Sequence, residues 1–266
     1  MPGELTPTLR GAIAASGRPL AGIWVCTGSP LVAEIVAGSG IDWVLIDQEH
    51  GPNDLSSTLG QLQAVAGYPV VPVVRVPSGD AVTIKQVLDL GAQNLLVPMV
   101  SSAEQAREIV AAVRYPPRGI RGVGSALARS ARWNRVDDYL TEADRYLSLF
   151  VQVESLAGVE AAAAIAETDG IDGVFIGPSD LAASMGLLGR QTHPDVVAAV
   201  MRTIEAVRSA GKPVGVNAFD PAIAEAYLQA GVTFILVGAD VALLARGSEA
   251  LAARFVTAPT SERPSN

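Results

Sequence analysis

The chain has one cysteine, two lysines and two histidines, and each shortage removes a class of chemistry. Cys26 alone can build neither a disulfide framework nor a cysteine zinc site, which suits a reducing compartment. A Schiff-base enzyme needs a desolvated lysine in its pocket. Lys85 lies in a helix-like stretch four residues before Asp89, where a surface pair is expected, and Lys212 precedes a strand, away from any site at strand ends. Basic blocks are missing, and 19 Lys+Arg against 27 Asp+Glu give a net charge of −8, so nucleic acid and anionic membrane are poor partners. No run approaches the roughly 18 apolar residues of a spanning helix. The opening MPGELTPTLRGAIAASGRP has neither the basic start nor the apolar centre of an export signal, and a cytoplasmic location is expected. There is no G-x-G-x-x-G after the first strand and no G-x-S-x-G elbow, which argues against a dinucleotide fold and a serine nucleophile.

What is present is a regular alternation in a chain that is 49% hydrophobic. Strands are predicted near Gly22–Cys26, Val44–Asp47, Val71–Arg75, Leu95–Met99, Ser148–Val153, Gly173–Ile176, Pro213–Asn217 and Phe234–Val237. Helix signals fall between them. Ser29 with Pro30 opens one helix, Asp80 another, Ser101 with Glu104 gives a capping-box pattern, and Pro194 and Pro221 each lead a helical run. Eight βα units with strands buried on both faces predict an α/β fold, a closed parallel (β/α)8 barrel; a doubly wound open sheet is the second choice. Tyr115–Tyr139 is proline-, glycine- and arginine-rich and reads as a long loop. A single domain over 1–257 is expected, followed by a polar, unstructured tail over 258–266.

In a parallel barrel the site forms at the carboxyl ends of the strands. Asp47, Glu49 and His50 follow strand two in DWVLIDQEHGPND, Arg75 closes strand three, Gln152 and Glu154 close strand five, and Gly177-Pro178-Ser179-Asp180 follows strand six. Glu154 and Asp180 form a two-carboxylate site suited to a hard divalent cation, or else Glu154 pairs with Arg75 or a loop arginine. The G-P-S-D turn offers N–H groups to an anion, or is a plain turn. Arg75 needs an anionic partner, from the protein or from substrate. His50 is either a base oriented by Asp47 or another acid, or a hydrogen-bonded loop histidine. His193 reads as a neighbour of a helix cap. With no lysine available, carbonyl activation would fall to a metal.

DWVLIDQEHGPN, IKQVLDLGAQNLLVPMV, RYPPRGIRGVGSALARSARWNR, VQVES and GVFIGPSDL, at their spacing, resemble the HpcH/HpaI aldolase family of metal-dependent pyruvate aldolases to about Phe255. The resemblance implies a barrel of the phosphoenolpyruvate/pyruvate type whose last helix is exchanged between subunits of a homohexamer. It implies that Glu154 and Asp180 hold Mg²⁺, Mn²⁺ or Co²⁺, and that Gln152, Ser179 and Asp180, with Gly177 and Pro178, bind substrate. It further implies that Arg75 stabilises an enolate, that His50 is the base, that Asp89 raises the basicity of a histidine across a subunit interface, and that Asp47 helps orient that imidazole. Gln48, Ser179 and Asn217 depart from the family pattern, and Asn217 replaces a residue often bulky and apolar in relatives.

The expected activity is reversible cleavage of 4-hydroxy-2-oxo acids to pyruvate and an aldehyde. Alternatives are a related lyase acting on acyl-CoA esters, with Arg118, Arg121, Arg129, Arg132 and Arg135 forming a phosphate groove, or on sugar-derived 2-keto-3-deoxy acids, or a barrel without catalysis whose acids form structural pairs.

Overall fold

The structure is a computed structural model that describes residues 5, 7–124 and 126–256; the tail expected over 258–266 lies outside them. Eight parallel strands close into a barrel in chain order: β1 (Leu20–Val25), β2 (Trp43–Asp47), β3 (Val71–Arg75), β4 (Asn94–Val97), β5 (Ser148–Val153), β6 (Gly173–Ile176), β7 (Val214–Asn217) and β8 (Phe234–Ala239). The predicted strands differ from these by no more than two residues at either end. β4 stops at Val97 rather than Met99 because Pro98 has no N–H for the ladder and Met99 turns to φ +59°.

Most of the helix signals hold. Ser29, Asp80 and Asp220 cap the helices Pro30–Ala37, Ala81–Asp89 and Pro221–Gln229, each side-chain oxygen accepting a first-turn N–H. His193 is itself the cap of Pro194–Ser209, its Nδ1 accepting from Asp195 N–H at 3.3 Å. The predicted Ser101 cap is corrected to Ser102, which accepts from Gln105 N–H. Ser101 instead donates its N–H to the Gln105 side chain and shares a 2.8 Å hydrogen bond with Ser155 Oγ. Among its described residues Tyr115–Tyr139 is irregular apart from one short turn, Arg129–Ala131, and Tyr139, which opens the helix Tyr139–Tyr146. Because it follows the helix Ala103–Val113, which runs back from the β4 carboxyl end, it lies at the rim where the strands begin.

Period two sorts each strand's residues between the barrel interior and the helix layer. Inward go Leu20 and Trp24, Trp43 and Leu45, Val73, Leu96, Phe150, Phe175, Phe234 and Leu236, which form one buried cluster. The aromatic rings need room, and glycines on neighbouring strands supply it. A methyl on Gly22 would lie 2.4 Å from the Trp43 ring, on Gly173 2.6 Å from Phe150, and on Gly215 2.3 Å from Phe234. The lower mouth is closed by the helix Leu9–Ala15: Leu9 is buried, its N–H donates to Asn94 Oδ1 at 2.6 Å, and Arg10 N–H donates to Ser148 Oγ at 3.2 Å. The polar groups of the interior therefore gather at the two ends.

Gly215→Ala is expected to destabilise the fold by about 1–3 kcal/mol through overpacking against Phe234. Urea denaturation with an unchanged midpoint would mean that the ring has room to move.

Candidate active site

The same period that turns Trp43 and Leu45 inward brings Asp47 inward at the end of β2, and Arg75 likewise at the end of β3. The two are direct cross-strand partners. Both are buried, and they meet as a bidentate pair: Arg75 Nε donates to Asp47 Oδ1 at 2.8 Å and Nη2 to Oδ2 at 2.9 Å. Glu49 Oε2 lies 2.6 Å from Arg75 Nη1. The Trp24 ring lies against the guanidinium, 4.4 Å from centroid to Cζ, and Trp24 Nε1 donates to Asn217 Oδ1 at 2.9 Å. A guanidinium has five N–H donors. Two go to Asp47 and one faces Glu49, which leaves one on each terminal nitrogen uncommitted.

Across the mouth, Glu154 is buried just beyond β5. Its Oε1 accepts from Met99 N–H at 2.8 Å and its Oε2 from Gln152 Nε2 at 2.5 Å. The left-handed turn at Met99 belongs to the same backbone bend that presents this N–H. Gly177 lets β6 pass close by: a methyl there would sit 2.7 Å from both Gln152 Nε2 and Glu154 Oε2. Ser179 and Asp180 follow on the exposed first turn of the helix Pro178–Ser184. Desolvation pushes the Glu154 carboxyl up to about 7, and the charges of Glu49 and Asp180 push the same way. Glu49 is raised as well, first by burial, with Arg75 opposing.

Acids that repel one another across the mouth, and offer only oxygen donors, fit a hard divalent cation. Glu154 and Asp180 are the pair without an arginine, because Arg75 is committed to Asp47 and Glu49. Among the described residues no three His, Cys, Asp or Glu side chains enclose a common point, so a cation here would complete its shell from water and substrate.

The structure thus gathers Asp47, Arg75, Gln152, Glu154, Gly177, Pro178, Ser179 and Asp180 at one end of the barrel. Several expectations need correction. Asp47 forms no hydrogen bond or ion pair with His50 within this chain; its oxygens take Arg75, and Oδ1 also takes Glu49 N–H at 3.0 Å. The acid nearest to the exposed imidazole is Glu49, with Oε2 3.9 Å from His50 Nε2. Glu154 pairs with no arginine among the described residues. Asp89 ends a helix that runs back from β3, so within one chain it lies at the opposite rim, and its partner is Arg121 at 3.0 Å rather than Lys85. The loop arginines form no shared groove. Arg118 binds Asp144, Arg121 is sunk against Tyr115, and Arg129, Arg132 and Arg135 donate to the carbonyls of Leu90, Arg129 and Arg132. Lys212 Nζ donates to the Ile171 carbonyl at 2.6 Å, far from this mouth.

Sequence reasoning missed Trp24 under Arg75 and Met99 N–H on Glu154. Neither has a local signature: a tryptophan in an apolar strand reads as core, and a backbone donor leaves no mark in the sequence.

A family profile described as HpcH/HpaI aldolase/citrate lyase matches residues 20–247. A hydroxypyruvate/pyruvate aldolase from Deinococcus radiodurans is 56% identical over 251 residues, covering 94% of this chain and 90% of the relative. A 4-hydroxy-2-oxo-heptane-1,7-dioate aldolase from Salmonella arizonae is 55% identical over 240 residues, covering 90% and 91%. Among solved structures, an HpcH/HpaI aldolase/citrate lyase family protein from Burkholderia cenocepacia superposes with a TM-score of 0.88 at 40% identity, covering 94% of this chain and 99% of that one.

The raised Glu154 carboxyl sets a pH signature for the metal-free protein. Its value moves from the ordinary 4.5 to about 7 on folding, so this group's contribution to stability is greatest below 4.5 and falls as pH rises to 7. Glu154→Gln removes that burden. The new amide can still accept from Met99, and Gln152 can turn its partnerless Oε1 toward it. In EDTA, the stability gained by the variant over wild type is expected to grow between pH 4.5 and 7 to roughly 3 kcal/mol. Melting curves with a pH-independent difference would contradict the desolvated carboxylate.

Proposed function

The chain belongs to the HpcH/HpaI aldolase/citrate lyase family, and from that premise we propose that it reversibly cleaves 4-hydroxy-2-oxo acids to pyruvate and an aldehyde. It is a carbon–carbon lyase of the class II pyruvate aldolase type. The observation that carries the finer reading is the buried Asp47–Arg75 pair, which leaves guanidinium N–H groups uncommitted at the same end of the barrel as Glu154 and Asp180.

Glu154 and Asp180 would hold a divalent cation, Mg²⁺, Mn²⁺ or Co²⁺, which when bound supplies Lewis-acid polarisation of the substrate's 2-oxo group. The remaining work falls to this chain's own residues. The first-turn N–H groups of Ser179 and Asp180 have no intrahelical acceptor and suit the substrate carboxylate. Gln152, buried beside Glu154, fixes that carboxylate's orientation. His50 takes the 4-hydroxyl proton, the C3–C4 bond breaks, and the electron pair passes through C3 to the 2-oxygen as the aldehyde leaves. The N–H groups of Arg75 stabilise the charge that collects on that oxygen. Protonation at C3 completes pyruvate.

On the acceptor side, Asn217 commits its Oδ1 to Trp24 and keeps its amide N–H groups for an oxygen-bearing aldehyde. This favours hydroxylated acceptors, including those released from sugar-derived 2-keto-3-deoxy acids. No such feature favours acyl-CoA esters, because the loop arginines lie at the other rim and bind protein groups. The exposure of every residue of the last helix beyond Asp240 is what an exchanged helix of a homohexamer would present. In such an assembly Asp89 would meet a neighbour's site, as the family resemblance implies.

Pyruvate α-proton exchange in D₂O, followed by NMR, tests the enolate half without a choice of acceptor. Exchange is expected with Mn²⁺ or Mg²⁺ and should vanish in EDTA; exchange that persists without metal would sink the proposal. His50→Ala is expected to slow C–C cleavage by about 10²–10⁴-fold, measured as pyruvate release. Borohydride with pyruvate should leave the protein unmodified, since Lys85 and Lys212 both lie outside the mouth.

A further inference from the structure

Asp240 is a buried carboxylate with no cationic partner among the described residues. It stands where β8 passes into the helix Asp240–Phe255 and is that helix's one buried residue. An acid in the first turn of a helix commonly serves the helix's own N–H groups. Asp240 does so through Oδ1, which accepts from Val241 N–H at 2.7 Å. Yet that same oxygen accepts from Cys26 N–H at 2.9 Å, and Oδ2 accepts from Thr27 N–H at 3.0 Å. Most of its hydrogen bonding therefore goes to a distant loop, the one that leaves β1.

That loop is packed against the one carrying Glu49 and His50. A methyl on Gly51 would fall 2.5 Å from the Asp47 carbonyl oxygen and 3.1 Å from that of Cys26, so the two backbones touch with no room for a side chain. Gly28, at φ +73°, lies against the Pro52 carbonyl. Cys26 Sγ lies 3.9 Å from Asp47 Oδ2, and Trp24, two residues earlier, is the ring beneath Arg75. A shift of the β1 loop cannot be absorbed at these contacts and must move the loop above it.

We propose that Asp240 is a positioning residue for the aldolase reaction: by gripping the N–H groups of Cys26 and Thr27 it holds the β1 loop, and through it the Glu49–His50 loop, where the base meets its substrate. The inference rests on His50 acting as the base in the reading above. Its effect is confined to that side of the mouth, because Glu154, Gln152 and Asp180 hang from β5 and β6.

Two full-length variants test it. Asp240→Asn keeps the shape and an acceptor for Cys26 but turns an N–H group toward Thr27 N–H. Asp240→Glu keeps the charge and moves the carboxylate out of register, and it also serves if the first variant does not fold. Because the chain has one cysteine, reaction of Cys26 with a thiol-specific disulfide reagent reports on this loop alone. Burial, reinforced by Asp47 and Asp240, pushes that thiol up to about 12, so it should react slowly in the wild type. The charge-retaining glutamate separates loop opening from loss of the neighbouring anion.

In both variants kcat for cleavage should fall by about a hundredfold, the usual effect of misplacing a catalytic group by an ångström. Mn²⁺ affinity should not change, and Cys26 labelling should accelerate by about tenfold. Unchanged kcat with unchanged labelling would overturn the proposal, as would loss of activity that follows only loss of Mn²⁺ binding or of folded protein. Faster labelling in a protein whose wild type lacks aldolase activity would leave the loop anchor standing and refute the functional reading instead.

Discussion

The upper half of the barrel depends on one buried ion pair. Arg75 and Asp47 face each other as cross-strand partners, and each would be untenable alone: removing one member of a buried pair typically costs 3–5 kcal/mol, because the other charge is left uncompensated. The pair is bidentate, so it fixes the plane of the guanidinium as well as its position. Trp24 supports one face of that plane and Glu49 engages a third nitrogen. An arginine held on three sides keeps its remaining N–H groups in a fixed direction, which under the proposed function would let it stabilise developing charge without reorganising.

The rest of the mouth answers to the same constraint on charge. With Arg75 committed to Asp47 and Glu49, the acids on the β5 and β6 side have no protein cation, and the raised Glu154 carboxyl expresses that imbalance. Such an arrangement costs some stability in the metal-free state, and under the proposed function a divalent cation and an anionic substrate would relieve that cost. The lower half of the barrel carries no such tension. There Trp43, Phe150, Phe175 and Phe234 fill the bore over glycines, and Leu9 closes the end. A rigid apolar floor thus fixes the heights of the strands that bear the polar groups.

Much of this was legible in the chain. Alternation and caps gave eight strands, correct within two residues at either end, and the rule that parallel barrels place chemistry at carboxyl ends selected Asp47, Arg75, Gln152, Glu154 and Asp180. Where the reading failed, it failed on partners. Lys85 and Asp89 are spaced as a helix pair, but Arg121, 32 residues from Asp89, takes the carboxylate. Asp47 and His50 are three residues apart, but a strand neighbour 28 residues away claims Asp47. Ser101 looked like a cap, but Gln105 and Ser155 engage it first. For Asp89 and Asp47 a local spacing rule competed with a longer-range partner of better geometry and the longer-range partner won; at Ser101 the cap passed to the next residue, Ser102.

The sequence by itself determined the strand and helix periods and the set of polar residues that end neighbouring strands. These follow from pattern and composition, which act over a few residues. Only the tertiary structure decided who pairs with whom: Arg75 with Asp47 rather than Glu154, Glu49 rather than Asp47 beside His50, and Asp240 with the loop of β1. Barrel closure brings β8 against β1 and so joins residues more than 200 positions apart. Hydrogen bonds and ion pairs depend on distances of a few tenths of an ångström, and those distances exist only once the strands have closed into register.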